Sequence, residues 1–289
     1  MTEPPPAPAD AAQDEALRRG LPPGSRRHLA VLFAGSPARD ALVALYAFEA
    51  ELRRIVDSES HEAAHARLQW WRAELDRLAG GRATHPIAQA LQASNAGWRP
   101  QAQLLHESLV AADLDLARFT YHEWTEVEAY CFRSGGAVQI LIATVLAGGR
   151  ALSSQECEFA RRLGSSVRQV EMLEALQSDL RRGRIYAPLD SLRRFGIEPA
   201  ELGREDAGPA CRKFEDEWRA RVREDLLGLP ALLGSPAERS SQRHGLVLAS
   251  LYARLLERPT GAARPRSRRL DLEPLDRLWT AWRTAVRNG

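Results

Sequence analysis

Apolar residues recur every three or four positions along most of this chain, the spacing that gives an α-helix one water-avoiding face. Residues 38–56 set Leu42, Leu45, Tyr46, Phe48, Leu52 and Ile55 near one such face. A second helix is predicted over 61–78, with Leu68, Trp71 and Leu75 inward, broken at Gly80-Gly81. Two more are predicted over 85–96 and 101–114, on either side of Gly97-Trp98-Arg99-Pro100. Residues 121–146 read as one long helix whose second half is apolar around most of its circumference, so it belongs in the centre. Another covers 153–180, with Ser154 close to its cap and Gly183 near its end. The run from Arg184 to Pro188 is then extended, since a residue preceding proline avoids the α region. Predicted helices at 210–229, 237–256 and 272–286 complete the chain. No alternating strand pattern and no internal repeat occurs. The expectation is all-α: one helical domain over 21–289, behind an acidic, Pro/Ala-rich tail at 1–20 expected to be disordered.

Composition narrows the functional classes. Forty basic against 38 acidic residues leave a net charge of +2, which argues against a nucleic-acid binder. Lys213 is the only lysine, a bias that a GC-rich genome explains without function. Cys131, Cys157 and Cys211 form no Cys-x-x-Cys pair, so neither a disulfide framework nor a zinc ribbon is indicated and a reducing, cytoplasmic setting is expected. No run was expected to reach the roughly 18 apolar residues that cross a bilayer, and the N-terminus lacks the pattern of a secretion signal.

Several motifs were weighed against plainer readings. His61-Glu62-Ala63-Ala64-His65 matches the zinc-protease pattern, but the flanks are polar and no third ligand announces itself, so we read it as a solvated helix start. Trp70, Trp71, Trp124, Trp218, Trp279 and Trp282 are candidates for an interaction face, against the plainer reading that most are core or half-buried; Trp71 and Trp279 follow core spacing, and Trp282 is the best candidate for an exposed anchor. No glycine-rich phosphate loop or Gly-x-Ser-x-Gly elbow is present.

The segment 163–188, LGSSVRQVEMLEALQSDLRRGRIYAP, is more distinctive: a helix, an acidic residue, a basic pair, a glycine and an extended Tyr-x-Pro exit. It resembles the second signature of squalene and phytoene synthases without a gap, matching at Gly164, Asp179, Arg181, Arg182, Gly183, Arg184, Tyr186 and Pro188. Ala44-Leu-Tyr-Ala-Phe48, continuing to Asp57, resembles the first signature. Residues 24–30, 130–138, 251–254 and 268–279 fit further blocks in the same order, so the resemblance covers about residues 24–285. It implies the all-α isoprenoid-synthase-type bundle.

The family joins two prenyl diphosphates, and the resemblance implies two aspartate clusters holding magnesium, which neutralises the leaving diphosphate. Here the two adjacent aspartates of the first cluster fall on Arg53 and Arg54, and Asp57 remains. In the second, Ala175 replaces an aspartate, Glu174 its neighbouring arginine, Arg168 and Glu171 the glutamine and asparagine, and Asp179 remains. We therefore expect a family member that has lost most of its magnesium ligands and acts as a non-catalytic scaffold or assembly factor. The segment 48–72 resembles the family's non-catalytic branch, the assembly factors of respiratory complex I. No catalytic residue is assigned; Asp57, Asp179 and Tyr186 are remnant positions, and no cofactor is expected. The alternatives are an active prenyl transferase, with magnesium on Asp57 and Asp179, and a metal-free binder of prenyl diphosphate or lipid phosphate. For the latter the anion-binding candidates are Arg53, Arg54, Arg181, Arg182, Arg184, Tyr46 and Tyr252, with Arg168 a further member of the clamp. Against it, Glu49, Glu51, Glu171 and Glu174 enter the same helices, so internal Arg–Glu pairing is expected to fill and close the cavity. Expected partners are a protein or a membrane surface, in the cytoplasm or peripheral to the inner membrane.

Overall fold

The computed structural model describes residues 9–94, 97–202, 204, 207–257 and 272–288, and among them only helices and their connections occur. The helices are α1 (Ala9–Gly20), α2 (Arg26–Val31), α3 (Ser36–Val56), α4 (His61–Ala79), α5 (Pro86–Ser94), α6 (Leu104–Leu116), α7 (Trp124–Cys131) and α8 (Ala137–Leu146). Then follow α9 (Ser154–Arg181), α10 (Leu189–Phe195), α11 (Pro199–Leu202), α12 (Pro209–Gly228), α13 (Pro236–Ser241), α14 (Arg243–Leu256) and α15 (Pro274–Arg287).

Every inward position expected on α3 and α4 is buried: Leu42, Leu45, Tyr46, Phe48, Leu52, Ile55, Leu68, Trp71 and Leu75. Two large apolar clusters result. One gathers α3 to α6 around α8; the other gathers α9, α12 and α14. The α9 start is held by a capping box: Ser153 Oγ accepts the Glu156 N–H at 3.1 Å, and the Glu156 carboxylate accepts the Ser153 N–H at 2.9 Å. The α13 start repeats this with Ser235 and Glu238, and the two are joined by the Ser153 hydroxyl donating to Glu238 at 2.8 Å.

Several expectations change. Residues 1–8 lie outside the described residues, but the remainder of the expected tail is helical as α1, because Gly20 meets α3 so closely that a Cβ there would lie 2.2 Å from Ala47 Cα. The predicted helix 237–256 is two helices, divided at Gln242. The long central helix is interrupted by a π-helical segment, Phe132–Gly136, between α7 and α8. There Gly135 lies against Gly164 of α9; a Cβ on Gly135 would come within 2.5 Å of the Gly164 carbonyl oxygen. This backbone-to-backbone contact draws α9, with its charged residues, against the centre. The whole stretch Trp124–Leu146, 23 residues with a mean hydropathy of 1.3 in its most apolar window, is also long and apolar enough to cross a membrane, contrary to expectation. Most of that window is buried inside the protein. Residues 259–267 (PTGAARPRS), whose composition reads as a flexible connection, lie outside the described residues.

Candidate functional site

Helices α2, α3 and α9 bring charged side chains to one mouth of the bundle, and α14 adds Tyr252. Arg27 of α2 reaches Glu49 of α3 and Glu171 of α9, each at 3.0 Å. Arg53 of α3 also reaches Glu171, at 2.6 Å, and Arg26 reaches Glu174 at 2.6 Å. The guanidinium of Arg26 lies over the Tyr252 ring and that of Arg27 over the Tyr46 ring, 4.6 and 4.8 Å from their centroids. Burial pushes the Glu171 carboxyl up, but the guanidiniums of Arg53, Arg27 and Arg168 outweigh it and hold the group down to about 2. Glu49 goes the other way: its burial outweighs Arg27 and Arg53 and raises it. Two carboxylates sharing Arg27 are thus driven apart in acidity by their surroundings.

The two signature aspartates meet at a single cation. Arg184 donates to Asp179 at 2.8 Å and to Asp57 at 2.6 Å; Asp179 and Arg184 are buried, whereas Asp57 is 42% exposed. Arg182 stands 3.7 Å from Asp57. Deeper in, Arg168 donates to Tyr130 at 2.8 Å and Tyr186 at 3.2 Å, and both hydroxyls donate to Asp115, at 2.8 and 2.7 Å. Burial raises the Asp115 carboxyl, against the pull of Arg168 and the two tyrosines. Tyr46 Oη lies 3.1 Å from His244 Nε2, and burial, with Arg27 nearby, pushes the imidazole down to about 3.

The candidate clamp Arg53, Arg54, Arg168 and Arg181 does not assemble. Arg53 lines the mouth, but Arg54, one residue and about 100° further round α3, is exposed and pairs with Glu51 on its own helix. Arg181 is exposed on another face beside Gln177 and Leu180. Arg168 is buried against its tyrosines. Of the tyrosine candidates, Tyr252 borders the mouth while Tyr46 is enclosed. Sequence reasoning missed Asp115, whose only signal is one acid between Leu114 and Leu116, and did not single out Arg26 and Arg27 within the matching block 24–30. His61 and His65 are exposed with their Nε2 atoms 3.0 Å apart, and among the described residues no group of three or more potential ligands is placed to hold a metal.

Arg–Glu pairing across the cavity occurs as expected between Arg53 and Glu171, but the mouth does not close. A cleft of about 600 Å³ remains, lined by Arg19, Arg26, Arg27, Arg53 and Arg277 with Glu171 and Glu174, while Ala175 and Ser178 form its α9 wall. The spaces around Arg168 measure only about 30 and about 10 Å³, room for a water molecule or two and far from the several hundred Å³ of an ordinary ligand cavity. A magnesium cluster does not fit this donor set. Asp57 and Asp179 already bond to Arg184, the cleft's Glu171 and Glu174 already pair with Arg27, Arg53 and Arg26, and Ala175 brings no donor.

Comparison with known proteins bears on these residues. The family model described as squalene/phytoene synthase matches residues 22–276. The chain is similar to the phytoene synthase of Thermus thermophilus, 30% identical over 218 residues that make up 71% of this chain and 72% of that protein. Phytoene synthase 3 of Zea mays is 26% identical over 201 residues, 68% of this chain and 45% of that protein. The bifunctional protein CrtB/UppS of Streptomyces coelicolor is 28% identical over 203 residues, 68% and 35% respectively. The chain thus spans less than half the length of the latter two. Among solved structures, squalene synthase HpnC from Alicyclobacillus acidocaldarius superposes with a TM-score of 0.65 at 21% identity, over 88% of this chain and 98% of that one. A dehydrosqualene synthase in complex with ligand gives a TM-score of 0.69 at 16% identity, over 96% of both chains. At these identities the structural likeness shows a shared all-α fold.

Proposed function

Since the chain belongs to the squalene/phytoene synthase family, we propose that it is a member that has lost most of its magnesium-binding aspartates and works by binding, as a non-catalytic scaffold. The observation that carries this reading is the fate of Asp57 and Asp179, which both bond to Arg184. A carboxylate whose charge is already matched by a buried guanidinium is a poor ligand for a second cation. Without a divalent ion the charge developing on a departing diphosphate stays unmatched, and each such contact missing from a dry site is worth about 3–4 kcal/mol of transition-state stabilisation. The small size of the spaces at Arg168, about 30 and about 10 Å³, supports the same reading. The resemblance of residues 48–72 to the family's non-catalytic assembly factors agrees with it, and we propose a protein or a membrane surface as the partner. The three free cysteines suit a reducing compartment.

The test is turnover of labelled farnesyl and geranylgeranyl diphosphates with magnesium. No squalene, phytoene or cyclopropyl precursor should form above the protein-free control. Product formation that the Asp57→Ala/Asp179→Ala variant abolishes would overturn the reading in favour of an active prenyl transferase with an altered site, the activity that the relatives' names carry.

A second reading is favoured by the cleft itself. Its arginines could hold the charged end of a prenyl diphosphate or lipid phosphate without metal. Calorimetry with farnesyl diphosphate, with and without magnesium, decides it: magnesium-independent heat that Arg53→Gln weakens supports it, and no heat in either titration removes it.

A further inference from the structure

Helix α15 turns its large apolar side chains outward. Leu275, Leu278, Trp279, Trp282 and Val286 are 52–79% exposed, and their spacing of three and four residues puts them in one stripe. The face packed inward is made of small residues, Thr280, Ala281 and Ala285. A surface helix ordinarily does the reverse. Leu227 of α12 extends the stripe, sharing with Trp279 a groove of about 360 Å³. The Trp279 and Trp282 rings stack with centroids 5.2 Å apart. A contiguous patch of this kind, unlike scattered exposed residues, marks a contact surface.

The charges beside the stripe select the partner. Arg283 and Arg287 are exposed along one edge of it, whereas the two acids at the groove are matched within the chain: Asp276 by Arg254 at 3.3 Å, and Glu257 by Arg254 and by Arg223 at 2.7 Å. We propose that this face of α15 docks on an anionic lipid surface. Leucine, valine and tryptophan enter the boundary between headgroups and acyl chains, where indole rings settle with their N–H in the polar layer. The two guanidiniums then stand at headgroup level and meet lipid phosphates. At 14 residues the helix is about 21 Å long, too short for the ~30 Å hydrocarbon core, so it lies in the interface plane rather than across it. A second copy of the chain is a poorer match, because the acids at this groove, Glu257 and Asp276, already pair with Arg223 and Arg254 of their own chain. The inference holds whether or not the chain turns over prenyl diphosphates.

Co-sedimentation of the full chain with vesicles tests it, using pure phosphatidylcholine and phosphatidylcholine mixed with phosphatidylglycerol. The wild-type chain should pellet with the anionic vesicles and be released by high salt. An arginine near an anionic surface favours binding about five-fold, so Arg283→Gln/Arg287→Gln should weaken anionic-vesicle binding about 25-fold and leave the weak binding to neutral vesicles unchanged. Trp279→Ser/Trp282→Ser should weaken both. All four positions are exposed, and unchanged circular dichroism would show that the variants keep the fold. The proposal is overturned if the wild-type chain stays in the supernatant with anionic vesicles at low salt, or if the double-arginine variant binds like wild type. It is equally overturned if sedimentation velocity finds a dimer that Trp279→Ser/Trp282→Ser dissociates while no vesicle binding is seen.

Discussion

Replacing Glu171 by glutamine tests the ion-pair network at its centre. The side chain accepts from Arg27 at 3.0 Å and from Arg53 at 2.6 Å, and lies mostly out of water. Its acidity, held down to about 2, differs from that of a free glutamate by an amount equivalent to about 3 kcal/mol of folded-state stability. Glu171→Gln keeps the shape and removes the charge. Arg27 is then left with Glu49 alone, and Arg53, which is partly exposed, relaxes toward solvent. The expected loss is about 3 kcal/mol at pH 7, within the range for breaking a buried pair. The sign of the pH dependence follows from the depressed folded-state acidity. The contribution is complete above the unfolded-chain value near 4.5, falls to roughly half by about pH 3, and is gone below about 2. Urea unfolding of both proteins, followed by circular dichroism at pH 7, 4.5 and 3, measures the difference. Two results would refute the reasoning: a loss under about 0.5 kcal/mol at pH 7, or a loss as large at pH 3 as at pH 7.

Two further substitutions probe the frame around the site. Asp179→Asn should destabilise by about 3 kcal/mol, because it leaves the buried Arg184 short of charge. Asp57→Asn, at a position 42% exposed, should cost less than about 1 kcal/mol, and equal losses in denaturant titrations would contradict the difference in burial. Gly135→Ala should lower stability by more than about 2 kcal/mol, since its Cβ would meet the Gly164 carbonyl oxygen at 2.5 Å; a thermal midpoint within a degree of wild type would show that α9 and the π segment yield easily.

Helical periodicity made the bundle legible, because α3 and α4 carry wide apolar faces and bury them where the spacing says. Where the signal failed, other forces had decided. The π segment follows from a glycine pair packed on Gly164, a tertiary contact with no trace in local spacing. Trp279 has the spacing of a core residue, yet α15 is packed by its small residues and the tryptophan is left outside, since periodicity finds the apolar stripe but not the side that is covered. At the site, the Arg–Glu pairing was legible as chemistry but its partners were not. Arg53 and Arg54 are adjacent in sequence and face different ways, and Arg27, which ties Glu49 to Glu171, comes from a short helix far away in sequence. Asp115 was invisible because one acid between two leucines reads as ordinary helix polarity.

The apolar stretch Trp124–Leu146 has a consequence for synthesis. On the ribosome it emerges before Ser154–Arg181, the helix that packs against it and carries Gly164. That cover is complete only ~35 residues later, roughly 2–7 s at ~5–20 residues per second. For those seconds the nascent chain presents a segment that satisfies a membrane-insertion machinery by length and hydropathy. Slower translation just downstream of Leu146 should therefore lengthen that exposure, and the share of nascent chain recovered with membranes is the measurement that would register it.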